Sequence, residues 1–195
     1  MKFVPTTFAI LATSVVLSAS AQQAPTTSSS VTVTPGKAVA TSTTKASAVI
    51  VAIDSTYRIV TLKTASGRTV EVVAGPEVKN FDQLKVGDKV DLQYLEALTL
   101  ELKKGGGMIV GRTEKAGAAS AMPGEKPAAG AGRQVTIVAD VVALDPTKQI
   151  VTLKGPQRTV DLRIADPEQF KRIAKGDQVE AKYTQAVALT VEPAK

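Results

Sequence analysis

Apolar and polar side chains alternate at every second position through residues 46–102 and again through 134–195. Val70 and Val72 oppose Thr69 and Glu71, and Val160, Leu162 and Ile164 oppose Asp161 and Arg163. Further along, Val90, Leu92 and Tyr94 alternate with Asp91 and Gln93, matched by Val179, Ala181 and Tyr183 against Glu180 and Lys182. Leu98, Leu100 and Leu102 then correspond to Val187, Leu189 and Val191. This period predicts half-buried strands with one wet face. It breaks once per unit. Val78, Phe81 and Leu84 fall three apart within Glu77–Leu84, and Phe170 and Ile173 do so within Glu168–Ala174, each after a proline suited to a first helical turn (Pro76, Pro167). Gly87-Asp88 and Gly176-Asp177 read as turns, as do the segments opened by Asp54 and Asp145.

The two stretches are copies. VAIDSTYRIVTLK at 51–63 and VALDPTKQIVTLK at 142–154 agree at nine of thirteen positions. The order in each unit is three strands, a short helix and two strands. That order predicts an all-β protein of two tandem five-stranded OB-like barrels, each with a short helix between strands 3 and 4. An SH3-like barrel competes, but would usually lack the helix.

Composition sets the boundaries around these units. Lys2, the apolar stretch Phe8–Leu17 and the small residues Ala19-Ser20-Ala21 form a secretory signal pattern over 1–21, with cleavage expected after Ala21. Residues 22–45 are rich in Ser, Thr, Ala and Pro and predict a flexible tether. Barrel 1 spans 46–102, a Gly/Ala/Pro-rich linker 103–133, and barrel 2 134–195. With no Cys there is no disulfide and no thiol for a lipid, which together with the signal suits a bacterial periplasm. No stretch after the signal is long and apolar enough for a transmembrane helix. The net charge of +6 concentrates in the N-terminal segment and linker, while the two units are near neutral, so the basic balance is a weak pointer to a polyanion.

The run DVVALDPTKQIVTLK, with RTVDLRIADPEQF and KGDQVEAKY, resembles the small periplasmic domains of the copper/silver-efflux chaperone family. IVTLK and LKVGDKV carry the resemblance into the first copy. It implies OB-type barrels. That family binds Cu(I) through His, two Met and a Trp, whereas this chain has no His or Trp, and its Met residues after the signal, Met108 and Met122, lie in the linker. The soft donors that Cu(I) needs are missing from the strands. The chain resembles more nearly the exported bacterial barrels with the same VTLK and VGD turns.

Candidate chemistry is sparse. Without His or Cys there is no Ser–His or Cys–His pair and no standard zinc site, and no calcium-loop spacing occurs. We expect no catalytic residues, no cofactor and no metal. Nucleic acid is disfavoured, because Phe81/Phe170 and Tyr94/Tyr183 read as core pairs and only Tyr57 is left to stack. One exposed feature is duplicated: Lys63 and Arg68 match Lys154 and Arg158, a small basic spot that could contact a ligand or partner, or ordinary hairpin charge paired across strands with Glu71 or Asp161.

The sequence therefore predicts a non-catalytic exported binding or scaffolding protein of the bacterial envelope, with a protein or envelope polymer as partner. One alternative is a periplasmic copper/silver-stress protein that has lost the usual ligands. Another is an electrostatic binder of anionic envelope polymers through Lys103, Lys104, Arg112, Lys115, Lys126 and Arg133.

Overall fold

The computed structural model describes residues 24–122 and 125–194, so the cleavage expected after Ala21 lies outside the described residues. The protein is all-β. Ten strands form a single antiparallel sheet: β1 Thr26–Thr34, β2 Lys37–Asp54, β3 Ile59–Thr64, β4 Thr69–Val73, β5 Lys89–Lys103, β6 Gly111–Ser120, β7 Ala128–Asp145, β8 Ile150–Lys154, β9 Thr159–Arg163 and β10 Gln178–Glu192. A 3₁₀ turn, Phe81–Gln83, precedes β5, and a helical turn, α1 Pro167–Phe170, precedes β10. Asp166 caps α1 by accepting from the Glu168 N–H at 2.8 Å.

Two closed barrels are not what forms. The strand order is β4-β3-β2-β5-β10-β7-β8-β9, with β1 beside β2 and β6 beside β7. The fourth and fifth strands expected in each unit are one uninterrupted strand, β5 or β10, each of 15 residues. These two strands pair with each other along their whole length, Lys89 opposite Glu192 and Lys103 opposite Gln178. The units are therefore joined at the middle of one sheet instead of being strung on a tether.

The tether and linker are also strands. Residues 26–45 form β1 and the first half of β2, paired Thr26 to Lys45 through Thr34 to Lys37. Residues 111–120 form β6 and residues 128–133 the start of β7. Thr and Val supply β propensity, and β5 or β10 supplies the partner that a tether would lack.

β2 does two jobs. Its first half lies between β1 and β5, pairing with β3 begins at Ala48, and past a bulge between Ile50 and Ala52 the strand leaves β5 and continues with β3. The bulge is pinned by the Gly-Asp turn: the Ile50 N–H donates to Asp88 O at 2.9 Å and the Gly87 N–H to Ile50 O at 2.8 Å. Gly87 sits at φ +98°, where a side chain would be strained. β7 repeats the device at Val141/Ala143, with Asp177 and Gly176 (φ +92°). A bulge bends its strand and increases twist, so both ends of the sheet curl into half-barrels.

The curl makes each core composite. On β5, Val90 and Leu92 face the first half-barrel, and on the same side Leu100 and Leu102 face the second. β10 mirrors this, with Val179 in the second core and Leu189 and Val191 packed into the first, against Ile50, Val60, Phe81 and Val90. Val141, Val151, Leu153 and Ala139 form the centre of the second core. Neither half owns a complete interior.

Candidate functional site

The residues that sequence singled out are solvent-facing. Lys63 and Arg68 sit on the β3–β4 hairpin, Lys154 and Arg158 on β8–β9, and all four are exposed. Among the described residues no ion pair joins them to Glu71 or Asp161. Asp161 instead accepts from the Thr152 hydroxyl at 2.7 Å. The hairpins lie at opposite ends of the sheet, so the fold does not bring the two spots together. Asp54 and Asp145 each accept two backbone N–H groups, from Thr56 and Tyr57 or from Thr147 and Lys148, and so close their turns.

Four polar residues tie the halves together, and they too are duplicated. Asn80 donates from Nδ2 to Met122 O (2.9 Å) and Glu125 O (2.8 Å), holding the tip of the β6–β7 hairpin. In the equivalent place, Gln169 accepts from the Gly36 N–H at 3.0 Å, holding the tip of the β1–β2 hairpin. Asp88 accepts from the Ala194 N–H beyond β10 (3.2 Å), and Asp177 from the Gly105 N–H (3.1 Å) and Lys104 Nζ (2.7 Å) beyond β5. Burial pushes the Asp177 carboxyl up, but hydrogen bonds from Lys104, Ala174 and Gly105 outweigh it and hold it below the usual range. Each half grips the loose ends of the other.

At the centre, the eighth residue of β5 faces the eighth of β10: Glu96 opposite Gln185. A local two-fold runs through this pair, perpendicular to the sheet. Tyr183 donates to Glu96 Oε1 at 2.6 Å and Tyr94 at 3.1 Å. The Gln185 amide donates to the Tyr94 oxygen at 2.8 Å, and Arg133 donates to Gln185 Oε1 at 2.6 Å. The tyrosines expected as core are thus half-buried members of a polar cluster between two apolar regions. The Tyr183 bond, then those from Tyr94 and Gln185, hold the Glu96 carboxyl below its usual range, and the same carboxylate raises Tyr183. A lowered carboxyl adds stability above its unfolded pKa, lost as pH falls through the folded value. A raised tyrosine adds stability below its unfolded pKa, lost as pH rises through the folded value. We expect Glu96→Gln to move the highest tyrosine ionisation, read by ultraviolet titration, down toward the ordinary value near 10. An unmoved titration would show that the hydrogen bond does not set it.

Two apolar clefts, one in each half-barrel, have room for a ligand. The first, about 400 Å³, takes lining from all seven strands around it, including Val72 and Val73 of β4, Ala118 of β6, and Leu189 and Val191 of β10. The second, about 300 Å³, is lined by Val33 of β1, Leu100 and Leu102 of β5, Val151 and Leu153 of β8, and Leu162 of β9. Both volumes lie at the lower end of the range for ligand pockets. Val70, Val72 and Val160, expected as inward residues, remain 43%, 40% and 39% exposed, and of the three Val72 lines a cleft.

Sequence reading missed the clefts because each is made by residues from both halves. It missed Glu96 because Glu96 breaks an apolar face. Among the described residues no group of three acidic, His or Cys side chains could hold a metal ion, and no helix is long and apolar enough to cross a membrane. No family model, curated protein or solved structure matches the chain.

Proposed function

We propose that this chain is a non-catalytic exported binding or scaffolding protein of the bacterial cell envelope. The observation that carries the reading is the pair of apolar clefts, built twice from equivalent strands and each left open at the sheet's margin. Apolar surface left in water is a cost that a partner removes. Among the described residues that line the clefts, none forms a nucleophile–base pair. The tethered-barrel picture gives way here to one body with two sites, which suits bivalent attachment to a repeated target.

The basic segment supports polymer binding less well. Lys103 pairs with Glu101, Lys104 with Asp177, and both Arg112 and Arg133 with Glu114, so much of the positive charge is balanced locally. The copper/silver alternative rests on the resemblance alone.

A photo-crosslinking residue placed in intact cells at Val72, Ala118 or Thr99 tests the reading. Discrete envelope-protein adducts are expected from positions 72 and 118, at the first cleft, and none from Thr99 on the opposite face. Silence at all three positions would overturn it. Salt-sensitive adducts formed only at Lys115 or Lys126 would transfer the case to anionic polymers.

A further inference from the structure

We infer that each cleft is a socket for one extended strand of another polypeptide, with small or branched aliphatic side chains at alternate positions. The inference rests on the binding reading above and names the chemistry of the partner.

Strand parity leaves each half-barrel one strand short. Around the first cleft the strands run β4-β3-β2-β5-β10-β7-β6, seven in all, and every neighbouring pair is antiparallel. With an odd number of alternating strands, the two outermost must point the same way. β4 and β6 are therefore parallel to each other, and closing directly on one another would require a parallel ladder in an otherwise antiparallel barrel. No such ladder forms. One added strand, antiparallel to both edges, would complete an even-numbered barrel of eight. Eight strands enclose an interior that side chains just fill.

The second cleft obeys the same count. β9-β8-β7-β10-β5-β2-β1 is again seven antiparallel strands with parallel outer members. The edges that border the clefts carry unpaired N–H and C=O groups, which strand addition satisfies. The lining dictates the side chains. One face of the entering strand would meet Val72, Ala118 and Leu189, or Val33, Leu100 and Leu162, while the other stays in solvent. An acyl chain would fill the volume but leave both edges unpaired. That difference selects a strand over a lipid. β4 and β9 are five residues long, so the paired stretch is short, and two sockets in one body compensate by holding two strands at once.

The test uses the whole protein without residues 1–21, and a fluorescent nine-residue peptide alternating valine and threonine. We expect saturable binding of two peptides per chain. An isomer of the same composition with its valines in one block should bind at least tenfold more weakly. Hydrogen exchange should slow at Thr69–Val73, Thr159–Arg163 and the facing parts of β1 and β6. Ala118→Trp, which fills the first cleft from an exposed strand without burying a polar group, should reduce the stoichiometry to one. Val33→Trp should do the same at the second. Equal binding of both isomers, or a fluorescent fatty acid that binds while the edge amides stay unprotected, would overturn the inference. Peptide failure alongside persistent cellular adducts at positions 72 and 118 would sink the strand proposal and leave the binding reading standing.

Discussion

Residues 104–195, expressed alone, should be unfolded at low concentration and fold only as a homodimer. An independent barrel would fold as a monomer, but this half lacks the Leu100 and Leu102 that line its cleft and the β5 ladder that pairs with β10. A second copy can supply both. β10 occupies the place of β5 under the local two-fold, so β10 can pair with β10 about Gln185, and the partner copy's Leu189 and Val191 then take the places of Leu100 and Leu102. Folding becomes second-order in chain, and the apparent stability rises with concentration. Light scattering and circular dichroism over a hundredfold dilution would check this. A folded monomer would mean that the two interiors are separate after all.

Ile50→Ala should lower the stability of the entire protein by about 2–5 kcal/mol, the usual cost of emptying a fully buried Ile site. Ile50 is 1% exposed and touches the core that β10 completes. Its equivalent, Val141, is likewise 1% exposed. Val141→Ala removes less, about 2 kcal/mol from some 0.8 kcal/mol per buried methylene plus a cavity. Each change should move one cooperative transition and should not split it. The shift for Ile50→Ala should be on the order of 10 °C for a chain of this size. The reason is connectivity: β5 and β10 cross both interiors, so loss of one interior removes pairing from the other. Two resolved transitions in calorimetry, with only one displaced by each substitution, would refute shared cores. The double variant should approach the full margin of about 5–15 kcal/mol that most domains possess.

Much of the strand assignment was present in the alternation. β3, β4, β8 and β9 fall where Val60, Val70, Val151 and Val160 place them. The continuity of β5 was also present but hidden. From Leu92 to Leu102 the even positions keep phase through Tyr94, Glu96 and Leu98, and no Gly, Pro, Asn or Asp interrupts them. A turn would have shifted the phase or introduced such a residue. The single anomaly is a polar side chain on the apolar face, and it marks the two-fold. β1 was less legible. TTSSSVTVT cannot bury enough surface to hold itself, and all nine residues remain exposed. It is a strand because β2 and the Gln169 clasp hold it, which no local composition reports. The clefts were illegible for a related reason, since their walls come from residues more than a hundred positions apart, such as Val72 and Leu189.

The pairing of β5 with β10 also fixes when the protein can fold. It closes loops of roughly 75 to 100 residues, and such distant pairings are slow because chain entropy is lost before contacts repay it. The first interior waits for Leu189 and Val191, near the far end of the chain, however early Ile50 and Val60 are made. A ribosome or a translocation pore that delivers the chain from its N-terminus therefore releases an unfolded first half until β10 has emerged. The order of synthesis and the order of folding are thereby decoupled: core residues made early are completed only by residues of β10.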